Sequence, residues 1–186
     1  MIWFSSDWHL NHKNITGAKV SSWTGGYRTF DTTNEMNETL ISTINKYVKW
    51  DDTIYFLGDF CFGGHVKTPY WRSRINCQNL HVIRGNHDEN LHEYADSFSS
   101  VQDYLELNIN AHKFVLMHYA MRTWNGSHKG NIHLYGHTHA GLENIIWGKS
   151  MDVGIDNAYR LLGEYRPFSM TEIIDIMNKR KVLEHH

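Results

Sequence analysis

The most constraining feature of this sequence is a series of short apolar runs, each of which ends in a small cluster of polar residues. The runs occupy residues 2–5, 53–57, 80–83, 113–117 and 132–135, and they have the length and composition of β-strands. In α/β folds, sites collect at the carboxyl ends of the strands. The sequence therefore predicts that the five polar clusters lie together at one rim of the fold.

Helical segments alternate with these strands. Three segments carry helix signals and a fourth is weakly helical; they span residues 34–49, 68–76, 170–179 and 90–98. The residues expected to cap or open the first three are Asn34, Thr68 with Pro69, and Ser169 with Glu172. This mixture of strands and helices predicts a layered α/β sandwich in which helices cover the sheets.

Two hairpins and a long loop complete the expected order of elements. Residues 104–107 and 113–117 predict strands joined by an Asn-rich turn, and 145–147 with 151–153 predict a hairpin across a Gly-Lys turn. Residues 6–33 predict a loop, and a loop of that length inside a compact domain is usually functional or mobile.

Length and composition narrow the class of protein. The 186 residues fit one domain, expected over residues 1–182, and residues 183–186 resemble the start of an expression tag. No run approaches the roughly 20 apolar residues of a membrane-spanning helix, and no signal-peptide pattern opens the chain, so a cytoplasmic protein is expected. The two cysteines are too few for a disulfide framework or a thiolate metal site. A net charge of −2 argues against strong binding of duplex nucleic acid.

The five polar clusters supply residues of the types that bind metal ions. In order they are Asp7-Trp8-His9, Gly58-Asp59, Gly85-Asn86-His87-Asp88, His118 and Gly136-His137-Thr138-His139. Each is weak alone, since polar residues at strand ends often form turns or caps. Their joint occurrence favours one site, whose candidate ligands are Asp7, His9, Asp59, Asn86, His118, His137 and His139. This set suits two divalent cations about 3.5–4 Å apart, the spacing used in phosphate ester hydrolysis.

His87 and Asp88 are expected to act in catalysis rather than in metal binding. Neighbouring side chains diverge, so His87 is better placed as a proton donor or a phosphate contact than as a ligand beside Asn86. Asp88 is expected to bond the far nitrogen of His87 and to raise the pKa of that imidazole.

In their order, the motifs resemble the signature of the calcineurin-like metallophosphoesterase superfamily, which is D-x-H, G-D, G-N-H-D/E, H and G-H-x-H. All five blocks are present between residues 7 and 139, and the small size resembles the compact bacterial and phage members of that superfamily. The resemblance implies a four-layered α/β/β/α sandwich of the metallo-dependent phosphatase type.

The resemblance also implies how the ligands are shared between two metals. Those of the first metal would be Asp7, His9, Asp59 and His139. Those of the second would be Asp59, Asn86, His118 and His137, with Asp59 bridging and His87 and Asp88 as the catalytic pair. Oxygen and nitrogen donors without thiolate favour Mn, Fe, Zn, Ni or Co. A hydroxide bridging the two metals would attack a phosphodiester or phosphomonoester of a small molecule or nucleotide.

Substrate contacts are less constrained by the sequence. Residues that flank the ligand clusters and suit a phosphate or a stacked base are His12, Arg28, Arg122, Trp124 and His128. Packing of the aromatic residues and solvation of the charged ones remain open as simpler roles. Two alternative functions also stay open, a nuclease acting on short single strands and a protein-binding scaffold that has lost its chemistry. The oligomeric state is left open.

Overall fold

Nine strands and five α-helices form the protein in the computed structural model, which describes residues 1–88 and 91–184. The strands are β1 (Ile2–Ser5), β2 (Thr53–Phe56), β3 (Asn79–Ile83), β4 (Ser100–Gln102), β5 (Tyr104–Ile109), β6 (His112–Met117), β7 (Ile132–Tyr135), β8 (Ser150–Asp152) and β9 (Phe168–Ser169). The α-helices are α1 (Lys13–Thr16), α2 (Thr33–Tyr47), α3 (Gly64–Ser73), α4 (Ile155–Leu162) and α5 (Met170–Asn178), and 3₁₀ helices occupy Leu91–Ser97 and Ser127–Lys129.

These strands build two sheets. The first has the order β4-β3-β2-β1-β9 and is parallel except for β9, which pairs antiparallel with β1. The second has the order β5-β6-β7-β8, in which β6, β7 and β8 are parallel and β5 is antiparallel to β6. Parallel strands place their carboxyl ends at the same edge, so the loops that follow them can meet there.

Alternation along the strands divides the core into two layers. On β1, Trp3 belongs to a cluster with the apolar face of α2, including Leu40 and Ile44. The next residue, Phe4, belongs to a second cluster with Phe114 of the other sheet. Successive side chains point to opposite faces of a strand, so β1 contributes to both layers. The predicted fold class is confirmed as a mixed α/β fold of two sheets flanked by helices.

Two predicted helix starts differ from the structure. Helix α2 is capped by Thr32, whose hydroxyl accepts a hydrogen bond from the Glu35 amide at 3.1 Å, and the predicted cap Asn34 lies in the first turn. Helix α3 begins at Gly64, four residues before Thr68, and Pro69 lies inside it. Proline removes one helical hydrogen bond but does not end this helix. The capping box of Ser169 is confirmed.

The predicted hairpin between residues 145–147 and 151–153 is wrong. Residues 145–147 form no strand, and Ile145 is 67% exposed. Strand β8 instead pairs in parallel with β7, because burial in the second sheet outweighs the local turn signal. Five elements were not predicted, namely α1, β4, the 3₁₀ helix Ser127–Lys129, α4 and β9, and α1 lies within the predicted loop of residues 6–33. Two predictions reach outside the described residues, at residue 90 of the weak helix and at residues 185 and 186 of the tag. In the described part of the chain, no helix is long and apolar enough to cross a membrane.

Candidate metal centre

The structure brings six of the seven predicted ligands into two compact groups. Within each group the candidate ligand atoms all lie within 4.8 Å of one another, and the groups are Asp7 with His9 and His139, and Asp59 with His118 and His137. The first group combines the loop after β1 with the loop after β7, and the second combines the loops after β2, β6 and β7. Both groups contain a carboxylate and two imidazoles, which is a donor set suited to a divalent transition metal.

Asp59 lies between the two groups. Its Oδ2 is 3.6 Å from Nε2 of His9 in the first group and 3.6 Å from Nε2 of His118 in the second. Its other oxygen accepts a hydrogen bond from the backbone amide of His87 at 2.9 Å. One carboxylate oxygen therefore faces both groups, while the second oxygen fixes the side chain in place.

Asn86 joins the second group through its amide oxygen. Its Oδ1 lies 3.1 Å from Nε2 of His118 and 2.9 Å from Nδ1 of His137. An amide oxygen is a neutral ligand that adds no charge to a site. All seven predicted ligands are therefore in one place.

Electrostatics at the first group fit a bound cation. Asp7 is fully buried, and the pKa of its carboxyl is raised well above the usual value. The main cause is burial, and the second is repulsion from Asp152. Burial also lowers the pKa of His9, which keeps its imidazole neutral. A divalent ion would supply the positive charge that the buried Asp7 carboxylate lacks. It also needs neutral imidazoles as ligands, and His9 is one.

Backbone conformation, rather than strand alternation, aims these side chains. Residues two apart in an extended strand face the same side, but Asp7 and His9 are not extended, since both have positive φ values, 56° and 48°. Asp59, His137 and His139 also have positive φ, between 46° and 67°. Non-glycine residues rarely adopt this left-handed region, and where they do so the surrounding structure must hold them.

Two glycines allow the loops to approach closely. Gly58 has φ of +96°, and a Cβ there would lie 2.5 Å from the Gly85 amide nitrogen and 2.6 Å from Nδ1 of His118. A Cβ on Gly85 would overlap the Asp59 carboxylate. Glycine is thus required beside Asp59 by close packing as well as by the positive φ of the turn.

Hydrogen bonds to the far nitrogens orient two of the imidazoles. Nδ1 of His118 lies 2.6 Å from the Leu57 carbonyl oxygen, and Nδ1 of His139 lies 2.7 Å from Oδ2 of Asp156. In each case the bond leaves Nε2 free to face the site. Such partners fix the tautomer and orientation of metal-binding histidines.

Arg28 is buried behind the site and does not reach the open face. Its guanidinium pairs with Asp156 at 2.7 and 3.0 Å, and it donates to the carbonyl oxygens of Asp7 at 2.7 Å and Trp8 at 3.0 Å. The prediction that Arg28 contacts substrate conflicts with this placement. Although burial opposes it, the Arg28 charge and the His139 hydrogen bond hold the pKa of the Asp156 carboxyl far below its usual value.

The hydrogen-bond partners of the Asp88 carboxylate differ from the predicted one, His87. Its carboxylate accepts hydrogen bonds from the backbone amides of Asp59, Phe60 and Gly85, at 2.7 to 3.0 Å. This buried carboxylate therefore fastens two ligand loops together. The exposed His87 ring lies 5.6 Å from the His9 ring and 4.7 Å from the Phe62 ring, between centroids.

Sequence reasoning missed Asp152 and Asp156. Asp152 accepts hydrogen bonds from the Thr138 hydroxyl at 2.6 Å and the Ala140 amide at 2.9 Å, which holds the loop carrying His137 and His139. Asp152 ends β8, so the strand-end signal that identified the other clusters was present there too, but the predicted hairpin obscured it. Asp156 lies in the first turn of α4, a helix that was not predicted.

Among the other predicted substrate contacts, His12 alone is seen beside the ligands. Its ring stacks on Phe62 with centroids 3.7 Å apart, and burial together with the nearby His87 lowers the pKa of His12 to about 4. Trp124 is buried and donates to the Asn131 carbonyl, which is a packing role. His128 lies exposed in the second 3₁₀ helix. Arg122 lines a cavity whose wall includes none of the predicted metal ligands.

The fold and the clustered ligands define the class as a metal-dependent hydrolase of phosphoric esters. Residues 2–146 match the model of the calcineurin-like phosphoesterase superfamily domain, so the chain belongs to this superfamily. That match covers all five motifs, and it confirms the predicted family.

Relatives of similar length are known. An uncharacterised protein of Methanocaldococcus jannaschii is 30% identical, with 98% of this chain and 94% of that protein covered. The gene 66 protein of Mycobacterium phage L5 is 26% identical, with 95% and 93% covered. The crystal structure of the Aquifex aeolicus protein of unknown function AQ665 has a TM-score of 0.68 at 18% identity, with 95% of this chain and 98% of that chain covered. At that identity the structural likeness concerns the fold alone.

Proposed function

We propose that the protein is a dinuclear phosphoesterase that hydrolyses a phosphodiester or phosphomonoester of a small molecule or nucleotide. The observation that carries the proposal is the position of Asp59 Oδ2, 3.6 Å from a histidine nitrogen of each ligand group. A shared carboxylate oxygen suits two ions at the separation used by two-metal phosphatases. Mn, Fe, Zn, Ni and Co are the candidate ions.

The residues divide into ligands and positioning groups. The first ion would be held by Asp7, His9, Asp59 and His139, and the second by Asp59, Asn86, His118 and His137. Asp156 and the Leu57 carbonyl orient His139 and His118. Asp88 keeps the Gly58-Asp59 and Gly85-Asn86 loops in contact, so we assign it a positioning role.

His87 is the proposed proton donor. Its backbone amide is tied to Asp59, while its ring stands exposed beside the ligand His9. Bound divalent ions would supply an activated water, since coordination lowers the pKa of water from 15.7 to about 7. His87 would protonate the leaving alkoxide on the open side of the site. A cavity of about 480 Å³, lined in part by Asn86, His118 and Tyr119, offers room for a substituent of the ester.

The test is hydrolysis of bis-p-nitrophenyl phosphate and p-nitrophenyl phosphate by metal-stripped protein. Mn²⁺, Ni²⁺, Zn²⁺ and Mg²⁺ are added back in turn, with Asp59→Asn alongside. The expected result is metal-dependent turnover that Asp59→Asn abolishes, with two ions bound per chain by elemental analysis. Binding of a single ion, or turnover that survives Asp59→Asn, would contradict the dinuclear mechanism.

His87→Ala separates chemistry from metal binding. We expect turnover to fall by about 10²–10⁴-fold, the usual worth of a general acid, while the metal content stays unchanged. His112→Ala is the matched control, because His112 begins β6 at the opposite end from His118. Loss of metal from His87→Ala would show that His87 is a ligand and not the proton donor.

The remaining predictions stand as part of the same proposal. They are a single domain over residues 1–182, a cytoplasmic location and a phosphate-ester substrate for which a nucleotide is one candidate.

A further inference from the structure

A second cavity lies apart from the metal ligands. It has a volume of about 310 Å³, and part of its wall is formed by Leu142, Ile145 and Trp147, which are 39%, 67% and 40% exposed. A cavity of this size suits a small molecule. Apolar side chains are exposed to water at its mouth, and a ligand that covers them lowers the free energy of the system.

The polar side chains around this cavity are almost all engaged. The Tyr135 hydroxyl donates to Glu143 at 3.1 Å, and the Ser150 hydroxyl donates to the Trp147 carbonyl at 2.6 Å. The indole nitrogen of Trp147 donates to the Arg122 carbonyl at 2.6 Å. These groups are satisfied within the protein, so they call for no polar partner from a ligand.

The Arg122 guanidinium is the exception. It lies over the Trp147 ring, with Cζ 5.4 Å from the ring centroid. Within residues 1–88 and 91–184, no carboxylate forms an ion pair with it. A guanidinium braced on an aromatic face keeps its donors available for an anion.

We propose that this cavity binds a small organic anion with a planar apolar body. The apolar wall would contact the body of the ligand, and the Arg122 guanidinium would donate to its anionic group. The cavity would hold one such group because Arg122 is its only uncommitted charge among the described residues.

The chain segments around the cavity lead directly from the metal ligands. Residues 120–122 begin two residues after His118, Tyr135 lies two residues before His137, and Leu142 lies three residues after His139. The anion is therefore either a remote part of the ester substrate or a separate small molecule held beside the site. In both cases the cavity would contact an apolar body and Arg122 would bind an anionic group.

The test compares two probes that differ by one charged group. 1-Anilinonaphthalene-8-sulfonate carries a sulfonate on a planar body, and N-phenyl-1-naphthylamine is the same body without it. We measure binding of each to metal-free protein by calorimetry. Arg122→Met is expected to weaken the sulfonate probe about tenfold or more and to leave the neutral probe within about twofold.

Two further variants make the test specific. Ile145→Asn should weaken both probes, and because Ile145 is mostly exposed the variant should still fold. Arg74→Met is the matched control: Arg74 also lies over a tryptophan, with Cζ 5.8 Å from the Trp71 ring, but its charge is paired with Glu38. It should change neither affinity. Thermal unfolding of each variant checks the fold.

The proposal is overturned if Arg122→Met affects both probes equally or neither, or if Ile145→Asn affects neither. Because binding is measured without turnover, failure here is distinct from failure of the phosphoesterase proposal. Inhibition of bis-p-nitrophenyl phosphate hydrolysis by the sulfonate probe then identifies the source of the anion. Competition with the ester assigns it to the substrate, and its absence assigns it to a separate ligand.

Discussion

At the scale of single residues, the site depends on partners that lie behind the ligands. Asp156 accepts hydrogen bonds from the candidate ligand His139 and from the buried Arg28, and Arg28 also donates to the carbonyl oxygens of Asp7 and Trp8. One carboxylate thus links two ligand loops to the start of α4. Its removal should affect both metal binding and stability.

Asp156→Asn is therefore predicted to have two measurable effects. Metal affinity should fall about 10–100-fold, since His139 loses its orienting partner. The free energy of unfolding of the metal-free protein should fall by about 3–5 kcal/mol, because Arg28 is left buried without a counter-charge. Equilibrium dialysis measures the first effect and urea unfolding the second. Asp175→Asn, on the exposed face of α5, is the control and should change neither; an unaltered affinity in Asp156→Asn would exclude the orienting role.

At the scale of secondary-structure elements, capping decides where α2 begins. The sequence offers Thr32 and Asn34 within three positions, and both are good N-cap residues. In the structure Thr32 has the extended backbone of a cap and Asn34 does not lie at that position. Local propensity could not choose between them, because the choice depends on which register buries Met36, Leu40 and Ile44.

The two residues should respond differently to truncation. Thr32→Ala is predicted to lower the free energy of unfolding by about 1 kcal/mol, because the Glu35 amide loses its acceptor. Asn34→Ala should change it by less than about 0.5 kcal/mol. Chemical denaturation of both variants gives the comparison. A larger effect of Asn34→Ala than of Thr32→Ala would show that Asn34 is the N-cap of α2.

The contact between β6 and β7 includes a buried histidine in a fixed neutral form. Nδ1 of His133 lies 3.0 Å from the Val115 carbonyl oxygen, to which it donates, and Nε2 accepts from the Met121 amide at 3.1 Å. Burial lowers the pKa of His133 from 6.5 to about 4. Protonation at Nε2 would break the bond to Met121, at the beginning of the segment that lines the second cavity.

This histidine predicts an acid-dependent loss of stability. Its pKa is lower in the folded state than in the unfolded one, so its full contribution is present above pH 6.5 and is lost as the pH falls toward 4. The loss is on the order of 3 kcal/mol. His133→Gln should be less stable at pH 7 but show a flatter dependence between pH 6.5 and 4. Parallel pH curves for the two proteins would contradict this.

At the scale of the whole molecule, the candidate metal centre lies where the two sheets meet. Asp7 and Asp59 follow strands of the first sheet, whereas His118 and His137 follow strands of the second. Ions held by all four would cross-link the layers, and a ligand that binds only the folded state stabilises it by mass action.

Metal binding should accordingly raise the unfolding temperature. At a free metal concentration about 100 times Kd, the folded state gains about 2.7 kcal/mol per site. Differential scanning calorimetry with Mn²⁺ and with a chelator measures this difference. Asp59→Asn should lose most of the increase, and an equal increase in that variant would show that the ions bind elsewhere.

The sequence alone determined five strands, β1, β2, β3, β6 and β7, and the candidate ligand clusters that follow them. A short apolar run followed by Asp, His, Asn or Gly is a local pattern that can be recognised without the fold. The strands that these runs predict, β1, β2, β3, β6 and β7, are all present. The tertiary structure decided the rest. The Arg28–Asp156 pair joins residues 128 positions apart, and β9 pairs with β1 across almost the whole chain. The left-handed conformations of Asp7, His9 and Asp59 also arise from the packing of separate loops around Gly58 and Gly85. Such features depend on contacts between distant segments, and these form only when both sheets are in place.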